Sequence, residues 1–267
     1  MLNFISFGSG SSGNCYYLFT ENEGLMIDVG LGIRNIKKYF REYGLSFQTL
    51  HNIIITHDHA DHVKSVGALS YEYNLPVYAT ESVHYGISKN YCVRHKVQSQ
   101  FKKIISKNTP FILGEFNIMP FDVPHDSMDN VGFKIEYQGI VFCIMTDIGH
   151  VTPEIKKMVG EADYLVIEAN YDAEMLLKGP YPQYLKDRIV GGNGHLCNKY
   201  CADVIAESAS SRLKYIWLCH LSEENNHPEL ARITVEQTLI AAGMDIGNTV
   251  QLDVLKRNMP MGAYLLK

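Results

Sequence analysis

Three imidazoles and two carboxylates close the stretch Ile53-Ile54-Ile55-Thr56-His57-Asp58-His59-Ala60-Asp61-His62. The β-branched run before them reads as a buried strand, and a loop leaving a strand can turn alternate side chains toward one point. On that geometry His57 and His59 could grip one metal ion while Asp61 and His62 grip a second. Neutral imidazole with carboxylate is a borderline N/O donor set, suited to Zn²⁺ or Mn²⁺ rather than to Ca²⁺ or Mg²⁺. A polar surface loop that happens to contain histidines is the plain alternative, and the density of donor atoms argues against it. Two ions need more ligands than one loop supplies, so further His, Asp or Glu residues are sought just past apolar strands. His125 follows Asn117-Ile118-Met119-Pro120-Phe121-Asp122-Val123-Pro124, Asp147 ends the strand-like run 140–146, and His220 ends Tyr215-Ile216-Trp217-Leu218-Cys219. A carboxylate at position 147 could bridge both ions. Each of the three has a dull alternative, a structural imidazole or an Asp closing a turn, but together they read as ligands.

The elements that must position these groups alternate along the chain. Strands are expected at residues 2–7, 15–20 and 25–28, separated by glycine-rich turns, notably Gly8-Ser9-Gly10-Ser11-Ser12-Gly13-Asn14. That loop could cradle phosphate through backbone N–H groups or simply turn a hairpin, and it lacks the lysine of a P-loop. A helix is read over 33–43, with Ile33, Ile36, Lys37 and Phe40 on one face. Strand 52–56 carries the metal loop, and a helix from about 63 to 73 stops before Pro76. Strand 77–79 leads into a helix opened by Thr80 and Glu81. Further strands are read at 116–121, 131–137, 140–146, 164–168 and 215–219. Thr152-Pro153-Glu154 starts a helix with a capping hydroxyl and Pro in the first turn. Helices 198–208 and 228–242 cover the late strands, the second stopped by Gly243. Two strand-rich halves with helices outside predict an α+β fold, a four-layer αββα sandwich, in a single domain over 1–267.

Composition narrows the classes. With 267 residues and 46% hydrophobic content the chain can bury a large core. A formal charge of −5 gives no global basic footprint, so a nucleic-acid role needs a local basic surface. The start Met1-Leu2-Asn3-Phe4-Ile5-Ser6 lacks a secretory pattern and no stretch is long enough to span a bilayer. Cys15, Cys92, Cys143, Cys197, Cys201 and Cys219 form no CxxC pair, which fits reduced thiols in the cytoplasm. Cys197 and Cys201 are expected to be ordinary packing residues.

His57-x-His59-x-Asp61-His62, then His125, Asp147 and His220 in order, resemble the ligand motifs of the metallo-β-lactamase fold superfamily over most of the chain. Within it the chain resembles the YycJ/WalJ branch of nucleases. The motifs that carry this are Gly8 to Asn14, Leu75-Pro76-Val77-Tyr78-Ala79-Thr80, Gly194-His195-Leu196 with Asn198, and His220-Leu221-Ser222 followed by Glu224-Asn225-Asn226. The resemblance implies the αββα fold, with His57, His59 and His125 on one metal and Asp61, His62 and His220 on the other, bridged by Asp147. Tyr171 stands where this branch leads one to expect His, and Cys197 where it leads one to expect Ser; neither is among the metal ligands the resemblance implies.

The implied chemistry is hydrolysis. A divalent pair about 3.5–4 Å apart lowers the pKa of a bridging water toward about 7 and binds the oxygens of a phosphodiester. Asp61 can ligate and also accept a hydrogen bond from the nucleophile. The leaving alkoxide still needs a proton from a group near the metals but not on them. His195, in the flexible approach Gly191-Gly192-Asn193-Gly194, is the candidate general acid; the alternative is a helix cap. A similar Gly-His segment supplies the proton donor in ribonuclease Z relatives, with a Glu orienting it, and Glu168 resembles that partner. His150 is a supporting candidate, while His51, His84, His95 and His227 earn no role.

Between Glu81 and Glu115 no acid occurs, yet Lys89, Arg94, Lys96, Lys102, Lys103 and Lys107 do, interleaved with Tyr91 and Phe101. Such a stripe could track a phosphate backbone or be a solvated face. Lys186 and Arg188, in a helix expected just before His195, are weaker phosphate candidates, and the segment 171–194 is either a substrate-side flap or a decorated loop. The reading is therefore a cytoplasmic two-metal phosphodiesterase on nucleic acid, DNA before RNA, working as an exonuclease, with a homodimer left open. Its rivals are a cyclic-nucleotide or other small-molecule phosphodiesterase, a thioester or lactam hydrolase, and a metal-stabilised binding module.

Overall fold

The computed structural model describes Met1–Lys267. Its early strands are β1 (Leu2–Gly8), β2 (Cys15–Phe19), β3 (Gly24–Ile27), β4 (Leu50–Ile54), β5 (Val77–Ala79) and β6 (Lys102–Ile104). The later ones are β7 (Phe111–Leu113), β8 (Phe116–Asp122), β9 (Val131–Tyr137), β10 (Ile140–Met145), β11 (Tyr164–Glu168), β12 (Tyr215–Cys219), β13 (Gln251–Val254) and β14 (Met261–Leu266). Helices α1 (Ile33–Glu42), α2 (Ala60–Val63), α3 (Val66–Tyr73) and α4 (Glu81–Lys89) precede β6. After β10 come α5 (Pro153–Glu161), α6 (Ala173–Lys178), α7 (Gln183–Val190), α8 (Asn198–Ser208) and α9 (Pro228–Ala241). The strands make two mixed sheets, ordered β14-β1-β2-β3-β4-β5-β6 and β13-β12-β11-β10-β9-β8-β7. The architecture is α+β. The chain divides into two compact units, Met1–Pro120 with Ser127–Asn130 and Lys256–Lys267, and Phe121–Asp126 with Val131–Leu255.

In the first unit, Ile36, Tyr39 and Phe40 recur at helical spacing on α1 and pack with Val66, Leu69, Val83 and Ile87 onto Phe7, Tyr17, Ile53 and Val77. Burying a side chain of this size is worth roughly 1.5–3 kcal/mol each, so this face anchors the helices on the sheet. β3, β4 and β5 run parallel, pairing Ile27 with Ile54 and Ile54 with Tyr78. Their C-terminal ends therefore share one edge, from which Asp28 and His57 emerge. The second unit repeats the device: β10, β11, β12 and β13 are parallel, pairing Met145 with Ile167 and Glu168 with Cys219. Asp147, Glu168 and His220 thus leave neighbouring strands at the same end, where open parallel sheets characteristically place ligands. Thr152 caps α5 by accepting from Ile155 N, and Asp172 caps α6 by accepting from Glu174 N and Met175 N.

Three regions differ from the sequence reading. The helix expected from about 63 begins at Ala60 and breaks after Val63, α3 starting afresh at Val66. The cause is that Asp61 O accepts from Asn14 N (2.7 Å) and His62 O from Val29 N (2.7 Å), while Ser65 N donates to Val29 O (3.0 Å). Those groups bond to the residue just before β2 and the loop just after β3 instead of continuing the helix. The segment 171–194 holds α7, the helix expected around Lys186 and Arg188, and also a helix the sequence does not announce, α6, started by Asp172. The terminal strands β13 and β14 and the short β6 and β7 were not read at all. Their short or partly exposed stretches carry little periodicity, and pairing to a neighbour, as β14 to β1, is what makes them strands.

Candidate metal centre

The first unit contributes the loop that follows β4. His57 and His62 are buried there, and His59 and Asp61 partly so. The His57 ring centroid lies 4.7 Å from that of His59 and 4.0 Å from that of His62. Asp28 organises the group from the end of β3. Its Oδ1 accepts from Thr56 N (2.8 Å), and its Oδ2 accepts from Thr56 Oγ1 (2.8 Å) and from His62 Nδ1 (2.7 Å). With its own proton directed at Asp28, the Thr56 hydroxyl accepts from His57 Nδ1 at 3.0 Å. The lone pair that this leaves on His62 Nε2 accepts from Asn14 Nδ2 at 2.8 Å. Asp58 is turned elsewhere, its Oδ1 accepting from Met128 N at 3.0 Å.

The second unit gathers Asp147, Glu168, His195 and His220, whose ligand atoms all lie within 4.8 Å of one another. Glu168 is its hub. Oε1 lies 2.8 Å from His195 Nδ1 and 2.9 Å from His220 Nδ1, and Oε2 accepts from Ile148 N (2.7 Å) and Leu196 N (3.1 Å). Burial alone would push this carboxyl up, but His195 and His220 outweigh it and hold Glu168 below its ordinary value. His195 is raised above the ordinary imidazole value: burial pulls it down, and Glu168 and then Asp147 more than compensate. Asp147 Oδ1 stands 3.6 Å from His125 Nε2 and 3.4 Å from His220 Nδ1, and His125 Nδ1 donates to Gly194 O at 3.0 Å. Asn170 Nδ2 donates to His220 O at 2.7 Å.

The donor set fits divalent cations. His57, His62 and His125 each have Nδ1 committed to an oxygen, which fixes the tautomer with the lone pair on Nε2, as metal-binding histidines commonly do; at His62 a cation would take the place of the Asn14 amide on that lone pair. Those protons are assigned from the hydrogen-bond network. Asp28, Asp147 and His220 all adopt left-handed backbone, with φ of 58°, 57° and 54°. This costs a non-glycine residue of order 1 kcal/mol or more and recurs at functional sites. Here it turns the side chain just past the end of β3, β10 or β12. The sequence reading missed Asp28, Thr56, Asn14 and Asn170. Asp28 carried a usable signal, a carboxylate directly after the apolar strand Leu25-Met26-Ile27, the same rule that picked out Asp147.

In the second unit His195 opens onto a cleft of about 450 Å³ that Lys156, Tyr171, Tyr200 and Glu207 also line. His150, at its edge, is exposed and faces Gly192 O through Nδ1 at 2.6 Å. Cys197 Sγ accepts from Tyr200 N as the N-cap of α8, and Cys201 is fully buried. Among the other histidines, His84 bonds to Lys103 O and His227 caps α9. The basic stripe is less continuous than its sequence suggests. Phe101 packs against the first core, Lys107 pairs with Asp129, and Lys96 is tied to the Ile87 and Asn90 carbonyls. Arg188 pairs with Asp126. No helix is long and apolar enough to cross a membrane.

Residues 25–216 match the family described as Beta-lactamase superfamily domain. The chain is 32% identical to Exodeoxyribonuclease YycJ of Bacillus anthracis, across 97% of each sequence. It is 36% identical to Exodeoxyribonuclease WalJ of Streptococcus pneumoniae, across 90% of this chain and 88% of that one. In fold it is similar to the metallo-beta-lactamase fold protein YhfI from Bacillus subtilis, with a TM-score of 0.72, 16% identity, and coverage of 97% of this chain and 98% of that chain. The chain belongs to the beta-lactamase superfamily and is a metal-dependent hydrolase of the group that includes YycJ and WalJ.

Proposed function

We propose that this hydrolase cuts the phosphodiester bonds of nucleic acid and works as a DNA exonuclease in the cytoplasm. In this reading His57, His59 and His125 hold one divalent cation, Asp61, His62 and His220 hold a second, and Asp147 serves both. Zn²⁺ or Mn²⁺ suits these donors. Such a pair, when bound, supplies Lewis acidity that ionises water near neutral pH and offsets phosphate charge. The exodeoxyribonuclease names of relatives matched over nearly their whole length support the substrate class.

The observation that carries the reading is the carboxylate shared by two imidazoles of unequal exposure. His195 and His220 both face Glu168 Oε1, but the His195 side chain is 19% exposed and that of His220 only 4%. Of the two, His195 is the one that can meet a substrate. Glu168 accepts a hydrogen bond from its Nδ1–H, so the proton for the leaving oxygen is the one on Nε2. Glu168 also stabilises the imidazolium that must be present before transfer. Asp61 accepts a hydrogen bond from the attacking water and aligns it with phosphorus.

The test incubates the purified chain with Mn²⁺ or Zn²⁺ and end-labelled duplex DNA, single-stranded DNA, RNA and cyclic mononucleotides. Products shortening from one end of duplex DNA are expected. Turnover of cyclic mononucleotides alone would overturn the polynucleotide assignment, and no hydrolysis with either metal would overturn the phosphodiesterase.

A further inference from the structure

Residues 29–32, between β3 and α1, are stitched to the metal loop: Val29 N donates to His62 O and Ser65 N to Val29 O, at 2.7 and 3.0 Å. Beyond that seam lies an open cleft of about 620 Å³ in the first unit, lined among others by Arg34, Lys64, Ser65, Tyr91 and Arg94. No Asp or Glu lines it. Arg34, Lys64 and Arg94 make no ion pair or side-chain hydrogen bond, whereas Lys37, Lys38 and Lys107 of the same unit all pair with carboxylates. In a chain of net charge −5, three unpaired cations around one acid-free hollow is an unbalanced arrangement.

Two further features point to an anion. Helix α1 starts at Gly32 without a side-chain cap or an acid in its first turn, and Arg34 occupies that turn. A cation there opposes the helix dipole, and a bound anion would satisfy both. Ser65 is only 8% exposed, yet its hydroxyl caps nothing and has no hydrogen-bond partner in the protein. At the rim Tyr91 is 92% exposed, an aromatic face with no packing role.

We propose that this cleft holds a phosphate of the nucleic-acid strand, with Arg34, Lys64, Arg94 and the Ser65 hydroxyl on the phosphate and Tyr91 stacked on a base. The inference rests on the nuclease reading above and adds where the strand is gripped away from the cut. Backbone cations with an interleaved aromatic are the usual means of holding single strands without reading sequence. Lys64 lies two residues past His62, so a strand held here is tethered to the loop that carries four of the proposed ligands.

Binding of a fluorescein-labelled oligothymidylate is measured by anisotropy in EDTA, so that neither metal nor turnover enters. Arg34→Ala with Arg94→Ala is expected to weaken binding roughly tenfold at physiological salt, and to flatten the log–log salt slope by roughly 1.4. Tyr91→Ala is expected to weaken it roughly fivefold or more. The equal charge loss Lys157→Ala with Lys214→Ala should leave affinity unchanged. Wild-type affinity in the arginine double variant, or the same loss in the lysine control, would overturn the proposal. Displacement by thymidine monophosphate as effective as by unlabelled oligomer would also overturn it, in favour of a mononucleotide site. Failure of the nuclease reading is separate: it would appear as a wild-type chain that binds the strand but does not hydrolyse it with metal added.

Discussion

The loop after β4 and the strand ends of the second unit collect donor atoms by opposite means. The loop takes His57, His59, Asp61 and His62 from one short stretch, and their arrangement follows from local backbone fixed by Asp28 and Thr56. The other group draws Asp147, Glu168 and His220 from three strands, and only the parallel register of β10, β11 and β12 makes them neighbours. The orienting chemistry differs too. Asp28 fixes the tautomer of an imidazole, whereas Glu168 shares one oxygen between two imidazoles and favours a held proton. The difference teaches that the first group holds its imidazoles in one tautomer, whereas the second keeps a proton between a carboxylate and two imidazoles, the feature on which the proposed proton transfer rests.

The sharpest way to break this comparison is to remove one ligand from each side. Asp147→Ala removes the carboxylate proposed to serve both ions, and His59→Ala removes a group proposed to serve one. Asp147→Ala is expected to lower kcat/KM by on the order of 10³-fold or more, equivalent to several kcal/mol of lost metal assistance. Metal per chain should fall further than in His59→Ala. Equal metal loss in the two variants, read by elemental analysis of the dialysed proteins, would refute the shared role.

A smaller effect separates the two imidazoles on Glu168. His195→Ala is expected to reduce kcat by roughly 10²–10⁴-fold, the usual share of a general acid, with metal content unchanged. The pH profile gives a second reading. A general acid must be protonated, so activity is lost as pH rises through its pKa, and the raised value of His195 puts that loss above the ordinary imidazole range. Glu168→Gln removes the main upward influence while burial still pulls down, so the alkaline limb should move to lower pH. An alkaline limb that Glu168→Gln leaves in place would assign the titration to another group.

How much of this could be read from the sequence follows the same division. The His57–His62 cluster is legible because its donors are contiguous and follow a β-branched run. Asp147 and His220 are legible because an apolar strand that ends in a ligand-type residue is itself a pattern. Asp28 obeys that pattern too, but a lone carboxylate beside a glycine-rich loop does not stand out until His62 is placed 2.7 Å away. The break between α2 and α3 could not be read, because it depends on carbonyls of Asp61 and His62 bonding to Asn14 and Val29, residues distant in sequence. The basic stripe is only partly legible for the complementary reason: composition counts Lys107 and Phe101 alike with Arg94 and Tyr91, while Lys107 pairs with Asp129 and Phe101 packs against the first core.

The smallest of these expected effects tests the tautomer argument by itself. Asp28 is fully buried and accepts from Thr56 N, Thr56 Oγ1 and His62 Nδ1. Asp28→Asn keeps the shape and one acceptor oxygen. If that oxygen stays on Thr56 N, the amide NH₂ faces His62, which can then accept at Nδ1 only by moving its proton to Nε2. That tautomer has no lone pair for a metal at Nε2. The variant should therefore bind its metals about 10–100-fold more weakly, the usual consequence of losing a group that orients a ligand. Asp28→Ala should add a stability loss on top, about 1–3 kcal/mol for each buried donor left unsatisfied. Competition with a chromophoric chelator reads the first effect and urea unfolding of the metal-free chain reads the second. Metal affinity preserved in Asp28→Asn would mean that His62 is held in its ligating form by Asn14 rather than by Asp28.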